Sequence, residues 1–205
     1  MRKKDIILII LGIVILILLA FFVSLAIREV TNFDSNKEKE IEEKIEIDGK
    51  KIEFKTYRVD QSFFINVPSE FVMLDEEMLK QEYDYNSRPE LVFRSEDNAE
   101  KIFISTTEEA MTDAGLEAYL NNKIAESTNM QLLDSGIYTK HAKTFAKIVV
   151  VDSTTNMYYN IRYFTLNDKL VSVEFNTAST NYTKWEKVIE KIMDSLCFNE
   201  DDITK

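Results

Sequence analysis

The chain of 205 residues carries 36 acidic and 25 basic side chains, a net charge of −11 at pH 7. That balance argues against a nucleic-acid partner, whose phosphates must be neutralised by Lys and Arg. A single cysteine, Cys197, excludes an internal disulfide, and a single histidine, His141, leaves little room for a nucleophile–His set or for the usual zinc ligands.

Residues 6–27, IILIILGIVILILLAFFVSLAI, hold no charge from Ile6 to Ile27. At about 1.5 Å per helical residue the run reaches about 33 Å, enough for a hydrocarbon core of about 30 Å, so it reads as a transmembrane helix. A cleavable secretory signal has an apolar core of only about 7–15 residues. The small-x-small triplet Ser24-Leu25-Ala26 keeps cleavage after Ala26 as the alternative. Arg2, Lys3 and Lys4 precede the run, which by the positive-inside bias holds residues 1–5 in the cytoplasm and puts residues 28–205 outside the membrane. The expected localisation is the cell membrane, single-pass. No cysteine directly follows the run, so a lipidated N-terminal Cys is excluded.

Outside the span, 22 basic and 35 acidic residues leave a net charge of −13. Residues 28–44, REVTNFDSNKEKEIEEK, have almost nothing apolar to bury and read as a charged stalk. Residues 45–200 are long enough for one self-supporting core, and residues 201–205 make an acidic tail.

Within that domain, residues 44–47 and 51–54 alternate apolar and polar around Asp48-Gly49, a strong hairpin signal. A strand over 62–67 stops at Pro68, a short helix fits 75–83, and strands 91–94 and 101–105 join through Glu96-Asp97-Asn98. A helix follows, with Asp113 as its expected N-cap and Leu116, Tyr119, Leu120 and Ile124 on one face. Strands are then expected over 130–139, 145–151, 157–166 and 170–176. The nearly continuous apolar run FAKIVVV at 145–151 is that of a strand covered on both faces. A last helix aligns Trp185, Val188, Ile189, Ile192, Met193 and Leu196 and must pack on the sheet. For the hairpin at Asn167-Asp168, a three-residue loop pairing Ile161 with Phe175 and Tyr163 with Val173 is preferred, because it groups apolar side chains. A two-residue turn would instead set Arg162 opposite Val173.

This order of elements, with FFINVPSEF, LEAYLNNKIAES, YFTLNDKLVSVEF and YTKWEKVIEKIMDSLCF at its landmarks, resembles the PsbP-like family, which includes the photosystem accessory protein PsbP and the Mog-type Ran-binding proteins. The resemblance spans roughly residues 45–198. It departs after Pro68, where Ser69-Glu70-Phe71 stands in place of a frequent Trp. It implies an α+β fold, an α-β-α sandwich with a central antiparallel sheet, in a family of mostly non-enzymatic accessory and binding domains. It carries over no catalytic set and no cofactor.

His141 lies in the polar stretch Lys140-His141-Ala142-Lys143 and reads as a surface residue, and Cys197, between Leu196 and Phe198, as a small buried apolar one. No GxGxxG or GxxxxGK spacing occurs, and none of the acid clusters Asp75-Glu76-Glu77, Glu108-Glu109 and Glu200-Asp201-Asp202 has the alternation of a calcium loop. Asp75-Glu76-Glu77 reads as helix-start charge. Neither a catalytic nor a metal site is expected. Tyr158, Tyr159, Tyr163 and Trp185 are the candidate ligand or partner contacts, with core filling as their alternative. The expected function is a non-enzymatic, membrane-anchored interaction or accessory module of a bacterial envelope, with an envelope protein as partner. Two alternatives stand beside it: a carrier or sensor of a small apolar ligand held between sheet and last helix, and a scaffold subunit of a secretion or conjugation apparatus.

Overall fold

A computed structural model describes residues 45–60 and 62–199, apart from the side chains of Glu108 and Glu109. The predicted span at 6–27, the stalk at 28–44 and the acidic tail at 201–205 lie outside the described residues. No described helix is long and apolar enough to cross a membrane.

The Asp48-Gly49 turn forms, with φ of 50° and 77°, between β1 (Glu46–Ile47) and β2 (Lys50–Lys51). These strands are shorter than the alternation predicts. Phe54 belongs to a separate strand, β3 (Phe54–Val59), which pairs antiparallel with β4 (Phe63–Pro68). Nearly every residue of β4 is buried, so its backbone needs partners on both edges. β3 supplies one edge; on the other, the Phe64 N–H donates to the Cys197 carbonyl at 2.8 Å.

The main sheet has seven strands: β5 (Val72–Met73), β6 (Leu91–Arg94), β7 (Lys101–Ala110), β8 (Met130–Lys140), β9 (Lys143–Asp152), β10 (Met157–Leu166) and β11 (Lys169–Ala178). Their spatial order is β5-β6-β7-β11-β10-β9-β8, with every neighbouring pair antiparallel. Three α-helices lie among the described residues: α1 (Glu76–Glu82), α2 (Leu116–Glu126) and α3 (Tyr182–Asp194).

At the start of α1, Glu76 and Glu77 fill the first turn where the helix dipole favours them, as the sequence predicts, and the structure adds a cap: the Asp75 carboxylate accepts the Met78 N–H at 2.8 Å. At α2 the expected cap is displaced. Asp113 opens a 3-10 turn, Asp113–Gly115, and Gly115 takes the N-cap position. The Asp113 carboxylate instead accepts the Thr165 hydroxyl and lies 3.6 Å from Lys143 Nζ, so tertiary partners outcompete the helix end.

The β10–β11 hairpin overturns the preferred register. The loop is a two-residue turn, with Asn167 and Asp168 at φ 49° and 61°, which pairs Arg162 with Val173, Ile161 with Glu174 and Tyr163 with Ser172. Positive φ at both positions is the type I′ geometry whose twist matches paired strands, and Asn and Asp tolerate it. Turn geometry therefore outweighs the grouping of apolar side chains.

α3 covers one face of the sheet with β3 and β4. Trp185, Val188, Ile189, Ile192 and Met193 pack there with Phe145, Phe164, Val173, Phe175 and β4 residues Phe63, Ile65 and Val67. The Asn66 N–H donates to Ser195 Oγ at 2.7 Å, tying the hairpin to the end of α3. On the opposite face α2 sets Leu116 and Leu120 against Ala146, Ile148, Val150, Tyr163 and Leu170, while α1 sets Leu79 against Val92 and Leu74. Helices thus lie on both sides of the sheet.

Candidate functional site

The four aromatic candidates do not form one cluster. Tyr158 and Trp185 lie on the α3 face, and Tyr159 and Tyr163 on the α2 face. Trp185 is 7% exposed and contacts the rings of Phe71 and Phe175 at 5.8 and 6.0 Å. Tyr158 stacks on Tyr182 at 4.8 Å, and Tyr163 meets Tyr119 edge-on at 5.1 Å. Burial first, then the nearby Tyr119 and Glu174, pushes the Tyr163 hydroxyl well above its usual pKa. Cys197 is buried, and His141 sits in an exposed turn with φ 48°. Among the described residues no group of three or more His, Cys, Asp and Glu is placed to hold a metal ion.

The polar chemistry lies elsewhere, on a strip of the α3 face. On β10 Asn160 and Arg162 lie on the same face as Tyr158 and Phe164 and between them, and each is more than nine-tenths buried. Arg162 Nε donates to the Tyr138 hydroxyl at 3.0 Å, while one terminal nitrogen, Nη1, donates to Asn160 Oδ1 at 2.5 Å and to the Ile161 carbonyl at 3.2 Å. The guanidinium also lies over the Tyr138 ring, 5.9 Å from its centre. Asn160 Nδ2 in turn donates to the Tyr158 hydroxyl at 3.1 Å. Lys147 stands directly across from Arg162 on β9, and its Nζ is paired with Asp134 on β8. That ion pair is the main cause holding the Asp134 carboxyl below its usual range, with Arg162 contributing.

Sequence reasoning misses this strip because of the register. A three-residue loop would set Arg162 against Glu174, a ready ion pair. The two-residue turn sends them to opposite faces: Arg162 shares its face with Val173, and Glu174 faces the α2 side between Ile161 and Phe103. Glu174 receives a hydrogen bond from Asn176 Nδ2 at 3.1 Å, and burial pushes its pKa up. No ion pair among the described residues includes either side chain. The signal available in sequence is the Asn167-Asp168 dipeptide, whose two residues both favour positive φ.

A second feature is the outer edge of the same sheet end. Among the described residues β8 is the terminal strand, paired only with β9, and Met130, Leu132, Leu133 and Ile137 on it are each at least 40% exposed. A bulge interrupts its register between Leu132 and Asp134. The opposite edge, β5, is only two residues long. Beside the start of β8, Thr128, Asn129, Met130, Gln131, Ser153 and Thr154 line an open, mainly polar depression.

No protein-family model matches the chain, and no curated protein matches it. Among solved structures it is similar to cyanobacterial PsbP (CyanoP) from Synechocystis sp. PCC 6803, at 12% identity and a TM-score of 0.49, over 71% of this chain and 92% of that one. It is also similar to LpqN of Mycobacterium tuberculosis, a protein involved in cell envelope biogenesis, at 10% identity and a TM-score of 0.46, over 72% and 91% of the two chains. The Pseudomonas aeruginosa protein PA94 matches at 11% identity and a TM-score of 0.43, over 71% and 97%.

Proposed function

We propose that the chain is a membrane-anchored accessory module of a bacterial envelope, whose PsbP-like domain stands outside the membrane and binds an extended segment of an envelope protein along β8. The observation that supports this reading is the β8 edge. Eleven residues of strand leave one row of backbone donors and acceptors unpaired, and four large apolar side chains are exposed along it. A long apolar edge is a template for strand addition, with backbone hydrogen bonds giving affinity and alternate side chains giving specificity. The outer part of the chain, at net −13, repels a second copy of itself, so the occupant is a neutral or basic segment. The anchor supports the location: residues 6–27 have the length of a bilayer core and follow three basic residues.

A photo-crosslinking residue placed at Ile137 in the full-length chain in cells is expected to give an adduct with a defined envelope protein. The same residue at Thr183, exposed on α3, is expected to give none, and Leu133→Lys should weaken the Ile137 adduct. Equal adducts from both positions, or an Ile137 adduct indifferent to Leu133→Lys, would remove β8 from the reading. Mass spectrometry of the membrane-extracted protein checks the anchor: a new N-terminus at Ile27 would show that it is cut away.

A further inference from the structure

The geometry points to an oxyanion site at Arg162 and Lys147, taking the carboxylate or phosphate group of a ligand on the α3 face of the sheet. Arg162 is only 6% exposed, yet among the described residues no carboxylate forms an ion pair with it: Nε is taken by the Tyr138 hydroxyl, and Nη1 by Asn160 Oδ1 and the Ile161 carbonyl. The guanidinium carries a full positive charge. Neutral dipoles orient it without neutralising it, and a buried charge lacking a counter-charge is costly. The other terminal nitrogen, Nη2, has no hydrogen-bond acceptor among the described residues. It is not enclosed either, since the fully enclosed side-chain atoms without a partner among the described residues are Arg88 Nε and Thr107 Oγ1. Nη2 therefore keeps some contact with solvent.

Lys147 makes this more than a stray donor. It is the direct cross-strand neighbour of Arg162, and like charges placed so repel. Asp134 pairs with Lys147, so the strip holds two positive charges to one carboxylate on a chain of net −11. An oxyanion bridging Nη2 and Lys147 Nζ would remove both the repulsion and the unmet donors through charge-assisted hydrogen bonds. Tyr138 and Asn160 hold the guanidinium in place beforehand, so little side-chain freedom is lost on binding. Asp134 then acts as the internal competitor that an incoming anion must displace.

The test uses the full-length chain in detergent micelles, with inorganic phosphate and acetate titrated separately at millimolar concentration against chloride at matched ionic strength. The melting midpoint is expected to rise and saturate with phosphate, with acetate, or with both; phosphate alone assigns a phosphoryl group, and acetate a carboxylate. Lys147→Gln should weaken the apparent affinity about tenfold, the worth of one charge-assisted hydrogen bond. Arg162→Gln should abolish saturation, and Asp134→Asn, which frees Lys147, should tighten binding. The Asp134 variant is the arm that a purely structural Arg162 would not move, and it serves even where Arg162→Gln fails to fold. No saturable shift with either anion, or the same shift in the Lys147 and Asp134 variants as in the native chain, would overturn the site.

Discussion

The two faces of the seven-stranded sheet solve the same problem in different ways. On the α3 side the rings dominate: Phe164 meets Phe63, Phe145 and Phe198 at 5.2, 5.4 and 5.3 Å, and the long helix and the β3–β4 hairpin close over them. The α2 side is mainly aliphatic and is covered by two shorter helices, α1 over Val92 and α2 over Ile148 and Val150. Among the described residues each face nevertheless holds an ionisable side chain in no ion pair, Arg162 on the first and Glu174 on the second. The aromatic cluster around Phe164 on the first face buries much apolar area, which offsets part of the cost of the buried cation beside it.

The largest expected effect tests that asymmetry at its centre. Phe164 is fully buried among three rings, so Phe164→Ala should destabilise the domain by about 3–5 kcal/mol, as should Trp185→Ala at the contact with Phe71 and Phe175. Denaturant midpoints at constant slope would report it. A loss below about 1 kcal/mol at Trp185 would mean that its ring serves a partner and not the core.

On the opposite face Leu120→Ala should cost about 2–3 kcal/mol, less than the aromatic deletions, because α2 is shorter and one side of it is wet. Equal losses on both faces would break the comparison. Two separate unfolding transitions would go further and show that the faces do not share one cooperative core.

Smaller again is the cap of α1. Asp75→Ala leaves the Met78 N–H without its acceptor and should cost about 1 kcal/mol, read by chemical denaturation, with hydrogen exchange rising in residues 76–82 before the sheet is affected.

The smallest effect is a slope with pH. Burial raises the Glu174 pKa above its ordinary value of 4.5, with the Asn176 hydrogen bond opposing. A raised acid binds its proton more tightly in the folded state, so its contribution to stability is complete below the unfolded value and is lost as pH climbs from about 4.5 through the folded value. Glu174→Gln should remove that decline and leave the similar one from Glu100, which burial also raises. Subtracting the two stability-versus-pH curves isolates Glu174, and a difference that is flat above pH 4.5 would place its carboxyl in water.

Local chemistry was legible in the residues themselves. The Asp48-Gly49 turn, the Pro68 stop, the acidic first turn of α1 and the α3 stripe each depend on contacts within a few residues, and each forms as its sequence predicts. The continuous apolar run of β9 also foretold cover on both faces. The choices between nearly equal local options were not legible. Asp113 had a helix to cap, and Thr165 and Lys143, 52 and 30 positions away in the chain, claimed its carboxylate instead. Phe54 fitted the first hairpin by alternation but was drawn to β4, whose buried backbone needed an edge.

The candidate site belongs wholly to this second class. Nothing in MYYNIRYFTLNDKLVSVEF marks Arg162 as buried, because a strand residue has two faces and its own alternation cannot say which is dry. The sequence by itself determined a charged domain of sheet and helices behind a run of bilayer length. Only the tertiary structure decided that one turn residue fewer between β10 and β11 would part Arg162 from Glu174, because side chains alternate with period two and a one-residue change of loop moves a whole strand's charges to the other side.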